Sequence, residues 1–192
     1  MSKGDVANDT SISTTVHIGT HIDMPYHFYE NGQTIESYDA DFWQFKKVLF
    51  VEIKPNNLII HHELLHTLDS IEDIGYELLI VKTGICHRRD SKVFWHDNYG
   101  FHADIYDYLQ EFFPSLRVLG FDSISVSSIQ DRMMGREAHR RFLNPKKPIL
   151  LLEDMDLTAL DARTQLKEVL IAPLRIEQCD GLPCTIFGYL DD

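Results

Sequence analysis

The chain has 192 residues, of which 44% are hydrophobic, and it carries a formal net charge of −12 at pH 7 with histidines neutral. Such an acidic surface repels a nucleic-acid backbone and an anionic membrane, which excludes both as expected partners. The length and the apolar content predict one domain, spanning residues 1–192, with a core of useful size.

The N-terminus and the cysteines indicate a soluble, cytoplasmic protein. The first residues are polar and acidic, without the apolar segment of a signal peptide, and no run of about 18 apolar residues follows. The three cysteines, Cys86, Cys179 and Cys184, are an odd number without a CxxC pair, which predicts reduced thiols. A disulfide between Cys179 and Cys184, across a Gly-Leu-Pro turn, stays open as the alternative.

Apolar segments alternate with helical patterns along the chain. Strands are predicted from runs of β-branched and aliphatic residues at 13–22, 48–53, 78–82, 117–121, 148–152, 169–172 and 184–189. Helical periodicity is found at 62–68 and 103–113, and in a less regular form at 131–143 and 157–163. Strands interleaved with short helices predict an α/β fold with a mixed sheet.

The segment 17–28, HIGTHIDMPYHF, carries the clearest chemistry. The polar residues His17, His21, Asp23 and His27 are all odd-numbered, whereas the aliphatic residues between them are even-numbered. In an extended chain, residues two apart point to the same face. Three imidazoles and one carboxylate therefore face a cleft, while an aliphatic row faces the core.

A helix is the competing interpretation, because His17 and His21 are four residues apart as in helical zinc motifs. The β-branched residues around them, together with Gly19 and Pro25, argue against it. A straight strand would separate His17 from His21 by roughly 13 Å, so a shared ion requires a bend, which Gly19 permits. Imidazole with carboxylate suits zinc first, then manganese or iron. A strand that is merely rich in histidine is the plainer alternative, and the clustering favours a metal site.

The segment fits the pattern H-x-G-T-H-x-D-x-P-x-H-F at every fixed position. In this it resembles the cyclase-like family that contains bacterial kynurenine formamidase (arylformamidase), to which isatin hydrolase and certain lactone hydrolases are related. Further similarities to the family follow along nearly the whole chain, at 79–84, 118–125, 138–143, 149–157, 172–176 and 180–183. The motif begins at residue 17, so the early strand and the loop with an aromatic substrate contact that family members carry are short or missing.

The resemblance implies a swivelling β/β/α fold and a site with one or two zinc ions, or manganese in some relatives. It implies a homodimer or a larger homo-oligomer. The implied metal ligands are His17, His21 and a bridging Asp23, completed by His139 and Glu153. His27 would be the general acid/base rather than a ligand. Read alone, His139 resembles a surface residue on a charged helix.

The implied activity is hydrolysis of a small amide, as in the conversion of N-formylkynurenine to kynurenine and formate by metal-activated water. A lactone or cyclic-imide hydrolase, or a non-catalytic metal-binding relative, remains as an alternative. A serine nucleophile is not expected, because the chain has no G-x-S-x-G elbow.

Histidines outside the motif have simpler interpretations. His62 and His66, next to His61, are spaced for one face of a helix, and isolated helical histidine pairs are common on protein surfaces. A loop that approaches the cleft in the family adds three candidate substrate contacts, namely His96, Tyr99 and His102.

Overall fold

The computed structural model describes residues 7–190 and shows a mixed α/β fold. The strands are β1 (His21–Asp23), β2 (Gln44–Phe45), β3 (Val48–Glu52), β4 (Ile59–Ile60), β5 (Leu78–Lys82), β6 (Gly100–Phe101), β7 (Val118–Phe121), β8 (Leu150–Glu153), β9 (Leu166–Pro173) and β10 (Gly181–Leu190). The α-helices are α1 (His62–Leu68), α2 (Lys92–His96), α3 (Asp104–Phe112) and α4 (Arg132–Phe142). Short 3-10 helices lie at Pro25–His27, Ile35–Ser37, Ala40–Trp43 and Ile85–Arg88.

Eight strands form one sheet in the order β2-β9-β10-β1-β8-β7-β5-β3. The half from β8 to β3 is parallel, and the half from β8 through β1 to β2 is antiparallel. Because β3 at one end contacts β9 near the other, the sheet curls towards a barrel. The predicted α/β class with a mixed sheet is confirmed, and β1 joins the two halves.

The central parallel strands β5 and β7 are buried along their whole length. β5 has the sequence LLIVK and β7 the sequence VLGF, and every residue of both is buried. Parallel strands covered on both faces are typically continuous apolar runs rather than alternating ones. This explains why the segments 78–82 and 117–121 were recognisable in the sequence.

Two of the predicted elements are wrong. Residues 13–20 are not part of a strand, because the chain turns at Gly19, whose φ is +57°, and the ladder begins only at His21. Residues 157–163 form turns instead of a helix. The carboxylate of Asp156 accepts the N–H of Thr158 at 3.1 Å, and that of Asp161 accepts the N–H of Arg163 at 2.9 Å. Such local side-chain bonds compete with the helical ones.

The three cysteines are free thiols, as predicted, with no disulfide between Cys179 and Cys184. Within residues 7–190, none of the helices has the length and apolar character that crossing a membrane requires.

Candidate metal centre

The centre is built on β1, which lies between β8 and β10. In the antiparallel pair of β1 and β8, His21 lies directly opposite Glu153. Side chains opposite each other across an antiparallel pair share one face of the sheet, and so does Asp23, two residues further on. Local alternation and strand register together bring one imidazole and two carboxylates to one point. All three side chains are buried.

The bend at Gly19 returns His17 to the same point. The left-handed φ of +57° at this residue is a conformation that glycine adopts without a steric penalty. It brings Nδ1 of His17 to 2.8 Å from Oδ1 of Asp23. The His17 ring rests on Gly181 of β10, where an added Cβ would lie 2.6 Å from the ring carbon Cε1. The bend that a shared site requires is therefore present.

α4 supplies a third imidazole. His139 lies on the buried face of this helix with Gly135 and Ala138, so the surface role suggested by its charged neighbours is wrong. Its Nε2 is 3.5 Å from Oδ2 of Asp23 and 3.7 Å from Oε1 of Glu153. The ring also stacks on Phe28, with centroids 4.7 Å apart.

The backbone sets the tautomers of both buried imidazoles. Nδ1 of His21 is 2.8 Å from the carbonyl oxygen of Gly19, and Nδ1 of His139 is 2.9 Å from that of Gly135. Because a carbonyl only accepts, each Nδ1 must donate, and each Nε2 faces the carboxylates. This arrangement, with one ring nitrogen anchored and the other turned inward, is typical of metal-binding histidines.

The carboxylates dominate the electrostatics of the centre. Burial lowers the pKa of His21, but the hydrogen bonds and charges of Asp23 and Glu153 outweigh it and raise the pKa to about 10. The pKa of His139 is raised for the same reason, against its burial. In turn, burial raises the pKa of Asp23, yet the neighbouring imidazoles of His139, His17 and His21 hold it well below its usual range. A field that favours protons on imidazoles also attracts a metal cation.

The donor set fits a divalent ion. The Oδ2 atom of Asp23 is buried and has no hydrogen-bond partner, and an orphaned buried carboxylate oxygen is costly unless a cation is near it. Ligand atoms of His21, Asp23 and Glu153 lie within 4.8 Å of one another. A second set with the same spacing comprises His17, Asp23 and His27. Imidazole and carboxylate donors in this number suit zinc and then manganese.

His17 and His27 converge on a residue that the sequence analysis did not single out. The Oδ2 atom of Asp180 lies 2.9 Å from Nε2 of His17 and 2.9 Å from Nδ1 of His27. Both nitrogens of His17 thus face carboxylates, which requires a proton on each, and binding an ion would release one of them. Burial raises the pKa of Asp180, but the hydrogen bonds of His17 and His27 lower it overall. The signal in the sequence was that Asp180 opens the family-like segment 180–183, directly before β10.

A cavity of about 510 Å³ opens over the centre. Its apolar wall consists of Ile18, Phe28, Trp95 and Ile124. The suggested contacts His96, Tyr99 and His102 do not line it, and α2 contributes Trp95 instead. No pattern in the sequence singled out Trp95.

The cavity wall beside Glu153 is held by an ion pair. Asp154 has a φ of +54°, which is uncommon outside glycine. Both of its carboxylate oxygens accept from the guanidinium of Arg89, one at 2.8 Å. The Thr20 hydroxyl donates to the Asp154 carbonyl at 2.8 Å. These contacts fix the backbone that follows Glu153.

Comparison with known proteins agrees with this fold. Kynurenine formamidase of Bacillus cereus (strain ATCC 10987 / NRS 248) is 27% identical over 179 residues, which cover 92% of this chain and 77% of that protein. The solved structure of a potential metal-dependent hydrolase with cyclase activity has a TM-score of 0.73 at 21% identity, covering 92% of this chain and 80% of the other. Isatin hydrolase A from Labrenzia aggregata, bound to benzyl benzoate, has a TM-score of 0.74 at 18% identity, over 92% of this chain and 74% of the other.

A protein-family model matches the chain as well. The model of the Cyclase family, described as "Putative cyclase", matches residues 3–128, which is more than half of the chain. This region holds the whole His-Asp motif and the strands β1 to β7. The chain belongs to the Cyclase family.

Proposed function

We propose that this protein is a metal-dependent hydrolase of a small amide or formamide, of the arylformamidase type. The observation that carries the proposal is the buried pair of carboxylates, Asp23 and Glu153, facing Nε2 of His21 and His139 with one Asp23 oxygen unpartnered. The kynurenine formamidases among the relatives support the reaction class. The isatin and metal-dependent hydrolases among the structural neighbours share its fold.

Five residues would hold the metal, with zinc as the first choice and manganese as the second. They are His17, His21, Asp23, His139 and Glu153. Oδ1 of Asp23 faces His17 and His21, and Oδ2 faces His139, so Asp23 could serve two ions. A bound divalent ion lowers the pKa of a coordinated water towards about 7 and polarises a carbonyl group.

His27 is the proton carrier in this proposal. It lines the cavity, and its Nδ1 is held 2.9 Å from Asp180. With Nδ1 donating to that carboxylate, the other ring nitrogen carries the lone pair that accepts a proton from the attacking water. The same ring then gives this proton to the leaving nitrogen. Asp180 orients the ring and stabilises the imidazolium that forms in between.

The apolar wall determines what enters. Ile18, Phe28 and Trp95 offer an aliphatic and aromatic surface next to the centre, which suits a planar aryl group and displaces water from it. Trp95 would supply an aromatic contact to such a group. The charge of Arg89 is compensated by Asp154, so the cavity does not select for an anionic substrate.

A lactone or cyclic-imide hydrolase is the second candidate, since the structural likeness to isatin hydrolases reflects the same fold. Attack on a ring carbonyl would use the same groups and differ only in the leaving atom. Two assays on zinc-loaded and manganese-loaded protein separate the formamidase from the lactone or cyclic-imide hydrolase. One measures formate release from N-formylkynurenine, and the other measures ring opening of isatin.

The controls are His27→Ala and a metal-free sample. We expect turnover of one acyl substrate by the loaded wild type and a loss of about 10²- to 10⁴-fold in the His27→Ala variant. Protein that binds metal and turns over neither substrate would refute the proposal and favour the non-catalytic relative.

A further inference from the structure

A second group of imidazoles lies where the small sheet ends. β4 and β6 are parallel, with Ile60 opposite Phe101. The next residue on each strand is a histidine, His61 after β4 and His102 after β6, and the N–H of His102 donates to the carbonyl of Ile60 at 2.9 Å. Because the carboxyl ends of parallel strands meet at one edge, this ladder sets the two imidazoles side by side.

The donor atoms of this group are close to one another. The rings of His61 and His102 stack with centroids 4.2 Å apart and an angle of 28° between their planes. The carboxylate of Asp104 follows at the start of α3, with Oδ2 at 3.6 Å from Nδ1 of His102. Ligand atoms of these three residues lie within 4.8 Å of one another. None of the three lines the cavity over Asp23.

The local charges favour a cation. A neutral imidazole offers one nitrogen lone pair to a metal ion, and the two stacked rings bring two such donors together. The guanidinium of Arg141 occupies one oxygen of Asp104 at 3.1 Å, and the other oxygen is turned to His102. The Glu63 carboxylate, which accepts the N–H of His61 at 3.3 Å, adds negative charge at the same edge.

We propose that His61, His102 and Asp104 form a second binding site, separate from the centre around Asp23, for a divalent transition-metal ion such as zinc, nickel or copper. Two imidazoles and a carboxylate are the donors these ions prefer, whereas calcium and magnesium take oxygen ligands. Bonds of about 2.0–2.2 Å require the donors to close by roughly 1 Å, which side chains of this exposure achieve by rotation.

An ion at this site would connect two separate parts of the chain. His61 lies directly before α1, and Asp104 is the first residue of α3. A ligand that binds only the folded state adds to its stability in proportion to its occupancy. The site would therefore act as a structural clamp, independent of catalysis at Asp23.

Equilibrium dialysis against zinc chloride, followed by metal analysis of the full chain without a histidine tag, tests the proposal. The variants are His61→Gln and His102→Gln, and the matched control is His66→Gln, an exposed histidine on α1 outside the group. We expect each of the first two to bind one equivalent less than the wild type and the control to bind the same. Unchanged binding in both, or an equal loss in the control, would overturn the proposal.

Two measurements keep the result interpretable. Thermal unfolding without added zinc checks that each variant folds, and Asp104→Asn, which preserves shape, replaces any variant that does not. Zinc should raise the unfolding midpoint of the wild type more than that of the folded variants. The test compares the zinc bound by each variant with that bound by the wild type, so it remains valid even if the centre at Asp23 binds no metal. His21→Ala, which removes a ligand only from that centre, should leave the loss caused by His102→Gln unchanged.

Discussion

Gly181 is the position at which one added methyl group should damage the centre most selectively. It lies opposite Asp23 in the pair of β1 and β10. A Cβ there would lie 2.6, 3.0 and 3.1 Å from three atoms of the His17 ring. Ordinary contacts between carbon atoms are at about 3.5–4.0 Å, so the ring must move by about 1 Å. This movement would lengthen the two hydrogen bonds of the His17 ring, to Asp23 at 2.8 Å and to Asp180 at 2.9 Å.

The expected magnitude follows from this displacement. A shift of about 1 Å in a catalytic group costs on the order of 10²-fold in rate, and crowding of a packed site costs about 1–3 kcal/mol of stability. Gly181→Ala should therefore lower kcat/KM by about 10²-fold. Its thermal midpoint should fall, and less metal should remain bound after dialysis.

Gly188→Ala is the matched control for Gly181→Ala. It lies on the same strand, where an added Cβ would meet only the flexible end of Leu166 at 3.1 Å. The assays are hydrolysis of an acyl substrate and metal content, with both variants and the wild type loaded under the same conditions. If Gly181→Ala retains wild-type kcat/KM and metal content, then His17 is not held where the structure places it, and the role inferred for the bend at Gly19 is refuted.

Four further outcomes are expected. His27→Ala should lose activity and keep its metal, whereas loss of both in metal analysis would make His27 a ligand. Asp180→Asn should lower kcat by no more than removal of His27 does, about 10²- to 10⁴-fold, with little effect on KM and with an altered pH profile, while an unchanged profile would contradict the positioning role. A chelator should lower the thermal midpoint and the activity, and zinc should restore both, because only the folded state binds the ion. Burial raises the pKa of Cys86 to about 11 and that of Cys184 to about 12. Both thiols should therefore stay protonated at pH 8 and react slowly with a thiol reagent. Labelling at the rate of free cysteine would refute their burial.

The parts of this protein that follow from the sequence are those that depend on near neighbours in the chain. The alternation that places His21 and Asp23 on one face is a property of any extended segment, so it held in β1. The apolar runs of β5 and β7 are sufficient to identify buried parallel strands. The metal-binding chemistry of the motif was equally readable, because it depends on residue types.

The remaining features depend on which distant segments meet. Asp180 reaches His17 and His27 only because β10 pairs with β1, and no pattern around residue 180 contains this information. His139 looks exposed by its charged neighbours, yet α4 packs its other face on the centre. Trp95 enters the cavity from a five-residue helix that the sequence did not predict.

Periodicity decides which face of an element a side chain occupies, and this is a local matter of backbone geometry. Strand register and sheet closure decide which faces come together, and they depend on the summed packing of the whole core. His61 and His102 are an example: they lie about 40 residues apart in the sequence and become neighbours through the two residue pairs of β4 and β6. The sequence by itself thus determined which side chains share one face of β1, and only the tertiary structure decided which distant side chains lie against them, because register and closure depend on the packing of the whole core.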